Sequence, residues 1–243
     1  MRQLPLAIGP APQPSFENFV AARNAAALAH LRALGAPTAP TYLWGPAGAG
    51  KTHLLQALVR QFRAAGRRVA WFDGGADASS VCEPGWTLLA VDDCEALDEP
   101  AQRMLFALFE QATAEGAAFV AAGRVPPVDL PLREDLRTRL AWGHVFALEP
   151  LDEAQTRAAL RREAERRGIT LADDVIHHLL TRFARDLAHL MPLLDRLDAF
   201  ALASSRRVTL PLLRRMLAEQ GEPQVHAHAL PADEAPGAAR PAA

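Results

Sequence analysis

The sequence predicts an α/β protein, a parallel five-stranded sheet flanked by helices and followed by a small α-helical lobe. Three observations predict it. Short apolar runs alternate with helix-length segments as far as Pro150, the pattern of a parallel sheet covered on both faces. Beyond Pro150 only helical spacing recurs. Between a strand-like run and a helical one stands Gly45-Pro46-Ala47-Gly48-Ala49-Gly50-Lys51-Thr52, which fits G-x-x-x-x-G-K-[ST] in the setting that phosphate-binding loops require.

Residues 1–14 carry Pro5, Pro10, Pro12 and Pro14, so this arm is expected to be an extended tether. Ser15 and Asn18 are plausible caps for short turns, and Val20 to Leu34 is expected as a helix. Thr41 to Trp44 reads as the first strand and His53 to Ala65 as the helix after the loop, stopped by Gly66. Val69 to Phe72 and Thr87 to Val91 are the next strands. Pro100 suits the first turn of a helix that holds Met104, Leu105, Leu108 and Phe109 and ends near Gly116. Ala118 to Ala122 is the fourth strand; a short helix over Arg133 to Leu140 leads to a fifth, His144 to Leu148. Four helices follow, Asp152 to Arg167, Asp173 to Ala184, Asp186 to Ser205 and Leu210 to Gln220, each with an acidic or hydroxyl cap or a 3–4 apolar spacing. The domains expected are thus the arm (1–14), a nucleotide-binding base (15–150), a helical lid (151–220) and an Ala/Pro-rich tail (221–243) with little to bury, read as disordered.

Lys51 is the only lysine among 26 lysine and arginine residues. Arginine serves where charge is enough, so a lone lysine points to a site that needs a compact ammonium. The loop glycines allow successive N–H groups to face phosphate oxygens, Lys51 can reach the β- and γ-phosphates, and the Thr52 hydroxyl can ligate Mg²⁺. The helix N-terminus beginning at Lys51, Thr52 and His53 adds partial positive charge. Leu88 to Val91 is followed by two carboxylates, Asp92 and Asp93; beside the loop, the first can hold Mg²⁺ through water and the second can orient an attacking water. The expected ligands are ADP or ATP with Mg²⁺.

A formal charge of −2 over 243 residues gives no overall pull toward nucleic acid, so duplex DNA is not an expected direct partner. Cys82 and Cys94 have neither metal-ligand nor redox spacing and read as reduced thiols. No basic-then-apolar leader and no uninterrupted apolar span is present in the sequence, and a cytoplasmic protein without membrane contact is expected.

These residues together resemble the P-loop AAA+ module of the DnaA replication-initiator clade over about residues 15 to 219. Ser15-Phe16-Glu17-Asn18-Phe19-Val20 resembles its nucleotide-pocket entry, and Asp135 to Leu140 followed by Trp142-Gly143 resembles its arginine-finger segment. The resemblance implies that Arg139 is the finger, directed at the γ-phosphate held by a neighbour, and that Arg185 in Arg185-Asp186-Leu187 is a lid arginine touching nucleotide, with Arg182 nearby. Arginine suits a finger because its planar donors meet phosphate oxygens in pairs. Two departures weaken hydrolysis in its own pocket: Val120 to Gly123 offers apolar atoms where the family has a polar sensing residue, and Asp93 is shorter than the usual glutamate. Nucleotide is therefore expected mainly as a structural ligand.

No helix-turn-helix segment fits after the lid. At the other end Gln3-Leu4-Pro5-Leu6, followed by Ile8, resembles the peptide by which replication proteins dock on the DNA polymerase III sliding clamp; Leu4, Leu6 and Ile8 would enter an apolar pocket while Gln3 gives directional hydrogen bonds. A truncated initiator-like module with such an arm resembles the Hda family, regulators that convert DnaA from its ATP to its ADP form. The implied partners are DnaA and the clamp, with DNA met mainly through the clamp and a homodimer left open. The alternative is an ATP-dependent loader or targeting factor for a helicase or transposition complex.

Overall fold

The computed structural model describes residues 13–74, 85–183 and 185–221. The proposed clamp-docking residues Gln3, Leu4, Pro5 and Leu6, the thiol of Cys82 and residues 222–243 of the expected tail lie outside them.

Five parallel strands form the sheet, β1 (Thr41–Trp44), β2 (Val69–Phe72), β3 (Leu88–Val91), β4 (Ala118–Gly123) and β5 (His144–Ala147), in the order β2-β3-β4-β1-β5. Side chains alternate across each strand, so the same strands feed two cores. On one face Leu43, Leu88, Ala90 and Val120 pack against α1 (Ala25–Arg32) and α2 (Lys51–Ala64) through Leu28, Leu31, Leu54, Leu58 and Phe62. On the other, Tyr42, Leu89, Val91, Phe119 and Ala121 meet α3 (Glu99–Glu115) and α4 (Glu134–Ala141) through Leu105, Phe109, Leu136 and Leu140. Fully apolar β3 and β4 occupy the covered centre, while β5 is an edge strand with largely exposed side chains.

Local chemistry explains the helix limits. The Asp98 carboxylate accepts the Ala101 N–H at 2.8 Å and Pro100 lies in the first turn of α3, where a missing N–H costs nothing. Gly116 closes that helix at φ +69°, and the Ala117 N–H returns to the Ala112 carbonyl at 2.9 Å, a left-handed C-terminal cap. The helix expected over Val20 to Leu34 is shorter than its apolar spacing suggests. A 3₁₀ turn covers Ala22–Asn24 and α1 begins only at Ala25. The reason is tertiary: the Asn24 amide donates to the Glu149 carbonyl at 2.8 Å and accepts the Glu149 N–H at 2.9 Å, which ties the start of α1 to the chain leaving β5.

The helical lobe comprises α5 (Glu153–Arg166), α6 (Asp173–Arg182), α7 (Leu187–Ser204) and α8 (Leu210–Gln220). It has its own core, with Leu160, Ile176, Leu179, Leu190, Leu194, Leu213 and Met216 buried together. Asp152 and Gln155 form a reciprocal capping box at the start of α5, and Thr209 caps α8 through the Leu212 N–H. The acid that caps α7, Asp186, lies against the loop that precedes α2.

Candidate functional site

Strand register brings the chemistry to one edge. Trp44 lies beside Gly123, and Val91 beside Ala121, so the residues that follow β1, β3 and β4 emerge together at the carboxyl ends of the strands, the edge where parallel α/β sheets bind ligands. Gly45 to Gly50 arch from β1 into α2. Gly48 and Gly50 adopt φ of +78° and +92°, a region open to glycine. A Cβ on Gly48 would meet Asp186 at 2.6 Å, and one on Gly50 would meet the Phe19 ring at 2.7 Å. Pro46, Ala47 and Gly48 are exposed at the crest, while Ala49 is buried in the core below.

Lys51 is 7% exposed and donates to the Gly45 carbonyl at 2.7 Å and the Pro46 carbonyl at 3.0 Å. Burial pulls the ammonium below the usual lysine range, opposed by the charges of Glu95, Asp92 and Asp93. Asp92 is 4% exposed. Burial raises its carboxyl, and hydrogen bonding with the Thr52 side chain works the other way. Its Oδ1 also accepts the Asp93 N–H at 3.0 Å. Asp93 is an exposed non-glycine residue at φ +48°, an uncommon conformation that short polar side chains tolerate best.

The donor set fits a nucleotide. A loop that needs positive-φ glycines, a buried ammonium at its end and a helix N-terminus behind it together form an anion cradle. The Thr52 hydroxyl and the Asp92 carboxylate are the hard oxygen donors Mg²⁺ takes, usually beside waters and phosphate. Among the described residues no group of three or more His, Cys, Asp or Glu could hold a metal ion on its own, so this pair would act with phosphate rather than as a complete protein cage.

His53 faces away from this edge. Its Nε2 lies 3.0 Å from the Ser15 carbonyl, and its ring stands 5.5 Å from that of Phe19; burial lowers its pKa. It pins the segment entering the site to α2. Arg185 also turns elsewhere: its Nε donates to the Leu180 carbonyl at 3.1 Å and its Nη1 pairs with Glu153 at 3.3 Å. The lobe residue beside the loop is the next one, Asp186, whose two oxygens lie 2.6 and 2.7 Å from His189 Nδ1. From sequence, Asp186 is only a helix cap.

Arg139 lies apart from Lys51, in the last turn of α4. It pairs with Glu110 at 2.9 Å and packs over the rings of Phe106 and Phe109 at 5.8 and 5.5 Å. A cleft of about 530 Å³ beside it is bordered by Arg133, Asp135 and Thr138. Trp142, three residues on, is 75% exposed. Two further groups at the loop edge, Glu95 and Arg124, were not singled out as ligands by the spacing argument. They form an ion pair at 3.0 Å, and the signal for Glu95 was its place three residues after Asp92, where one tight turn returns it to the strand ends.

Known proteins share this arrangement. Residues 152–217 match the family model described as the lid domain of Hda. Domain III of the Thermotoga maritima replication initiation protein DnaA superposes with a TM-score of 0.69 over 87% of this chain and 98% of its own, at 23% identity. AMPPCP-bound DnaA from Aquifex aeolicus has a TM-score of 0.59 over 72% of this chain and 62% of its own, at 25% identity. A protein of Haemophilus influenzae described as uncharacterized is 30% identical over 227 residues, covering 89% of this chain and 98% of its own length. This chain belongs to the Hda-like, DnaA-related AAA+ proteins. The membership carries the α/β base with its helical lid, and the Thermotoga maritima RuvB motor shares that fold more distantly, with a TM-score of 0.62 at 16% identity over 86% of this chain and 72% of its own. Among the described residues of this Hda-like chain, no helix is long and apolar enough to cross a membrane.

Proposed function

We propose that this Hda-like protein regulates the initiation of chromosomal replication negatively, by stimulating hydrolysis of ATP bound to DnaA. In this reading the loop Gly45 to Thr52 binds ADP or ATP with Mg²⁺ held by Thr52 and Asp92, and this nucleotide sets the relation of base to lid. The residues Gln3 to Leu6 dock on the DNA-loaded sliding clamp of DNA polymerase III, and Arg139 is offered to the triphosphate carried by DnaA. Bound Mg²⁺ would supply charge neutralisation at the phosphates. Within its own pocket the chain's residues bind and orient more than they catalyse, since Asp93 is short and exposed and the end of β4 carries no side chain at Gly123.

The observation that carries this reading is the setting of Arg139. It is a partly exposed guanidinium at the rim of a cleft that contains a second arginine, Arg133, and it stands beside the exposed Trp142. That combination suits a surface which meets another subunit, because Arg and Trp are the residue types enriched at the energetic centres of interfaces. An arginine delivered to a foreign γ-phosphate accelerates phosphoryl transfer by an order of 10³ to 10⁵ in the best-studied cases. That is enough to make the contact a switch.

The test mixes ATP-loaded DnaA, DNA-loaded clamp and this protein and follows ADP formation. Wild type is expected to accelerate hydrolysis and Arg139→Ala to abolish the acceleration while keeping nucleotide and clamp binding. Equal acceleration by both proteins would remove Arg139 from the role.

A further inference from the structure

We propose that Glu95, acting with Arg124, makes this pocket favour a nucleoside diphosphate over a triphosphate. The inference rests on the reading that the loop ending in Lys51 holds nucleotide, and it adds the residue that sets which nucleotide is held.

The end of β4 borders the phosphate loop directly, since the Gly45 N–H donates to the Gly123 carbonyl at 3.3 Å. Gly123 presents no side chain there. The place its Cβ would take is instead faced by Glu95, whose Oε2 lies 3.0 Å from it. Glu95 reaches this position from the 3₁₀ turn Cys94–Ala96 that follows β3 and Asp93. The carboxylate then holds Arg124 twice. Its Oε2 accepts the Arg124 N–H at 3.1 Å and its Oε1 faces the Arg124 Nε at 3.0 Å. Oε1 is shielded from solvent and makes no hydrogen bond among the described residues beyond that ion pair, so this acid is committed to one guanidinium.

Electrostatics connects the pair to the loop. Of the charges that support the Lys51 ammonium, Glu95 acts most strongly, ahead of Asp92 and Asp93. A fixed negative charge therefore stands on the side of the loop from which Lys51 is to meet the outer phosphates. A third phosphate brings further negative charge to that side, and like charges held close disfavour one another. Arg124 can neutralise an added phosphate only by releasing Glu95, which would leave a half-buried carboxylate without its cation. A diphosphate ends short of this exchange and leaves the pair intact. Glu95 is thus a specificity-determining residue, and Arg124 is its counter-charge.

Calorimetric titration of the full chain with ADP and with ATP, both with Mg²⁺, tests this. Wild type is expected to bind ADP more tightly. Glu95→Gln keeps the shape and an acceptor for the Arg124 N–H but removes the charge; ATP affinity should rise at least fivefold while ADP affinity changes less than twofold. Arg124→Gln leaves the Glu95 charge unneutralised, and the preference for ADP should increase. An unchanged ADP-to-ATP ratio in Glu95→Gln, with the folding transition intact, overturns the proposal while leaving the pocket in place. If Glu95→Gln does not fold, an unchanged or reduced preference in Arg124→Gln overturns it equally. Failure of wild type to bind either nucleotide would overturn both the pocket and this inference.

Discussion

The ion pair between Arg139 and Glu110 sets a measurable cost on using Arg139 outside its own chain. The two side chains are 38% and 52% exposed and meet at 2.9 Å, a geometry in which such pairs contribute about 0.2–1 kcal/mol. Packing over Phe106 and Phe109 adds about 0.5–1 kcal/mol for a partly exposed cation over aromatic faces. Extending Arg139 to another molecule therefore costs about 1–2 kcal/mol before any phosphate contact is made. Glu110→Gln removes only the charge. At about 1.4 kcal/mol per tenfold, the accessible population of Arg139 should rise about two- to fivefold. The assay is ADP formation on ATP-loaded DnaA with DNA-loaded clamp, at a concentration of this protein below saturation, where docking limits the rate. Glu110→Gln should stimulate about two- to fivefold more than wild type, and Glu110→Gln with Arg139→Ala should be as inactive as Arg139→Ala alone. The advantage should shrink at higher salt, because an exposed pair is screened. The thermal midpoint should move by no more than about 4 °C, the scale for a loss under 1 kcal/mol in a chain of this size. Equal or lower stimulation by a normally folded Glu110→Gln would refute the view that α3 restrains Arg139.

Two further outcomes follow from packing and from a buried imidazole. Gly143→Ala places a Cβ 2.7 Å from the Pro40 carbonyl carbon and closer still to its oxygen, all rigid backbone, where the His144 N–H now donates to Pro40 at 2.8 Å; overpacking and the strained bond should together cost about 2–4 kcal/mol, a fall in thermal midpoint on the order of 10 °C, read by differential scanning calorimetry. His53 titrates below the usual histidine range because it is buried, partly offset by its bond to the Ser15 carbonyl. Its unfolded form takes the proton first, so its contribution is complete above about pH 6.5 and is lost as pH falls through the lower folded value. Chemical denaturation from pH 7.5 to 5.5 should show a shallower loss of stability in His53→Gln than in wild type, and an equal slope would show that His53 is not held neutral.

Much of this molecule could be read from the chain because its signals are local. The loop from Gly45 to Thr52, the apolar run ending in Asp92 and Asp93, the Asp98 and Asp152 caps and the Gly116 stop each involve residues a few positions apart. Strand limits therefore agree with the spacing to within a residue. Features made by residues distant in the sequence were not legible. The late start of α1 depends on Asn24 meeting Glu149, the restraint on Arg139 on Glu110, and the orientation of Arg185 on Glu153.

The sequence by itself determined the layered α/β base, the helical lobe and the side chains able to meet phosphate, because periodicity, caps and a glycine-rich loop act over one turn or one strand. Only the tertiary structure decided the charges around those side chains. Strand register set Gly123 beside Gly45 and let Glu95 stand in the space that glycine leaves, and helix packing set Arg139 against Glu110 instead of free in water. Electrostatic interaction depends on separation and burial, and neither is a property of position along a chain.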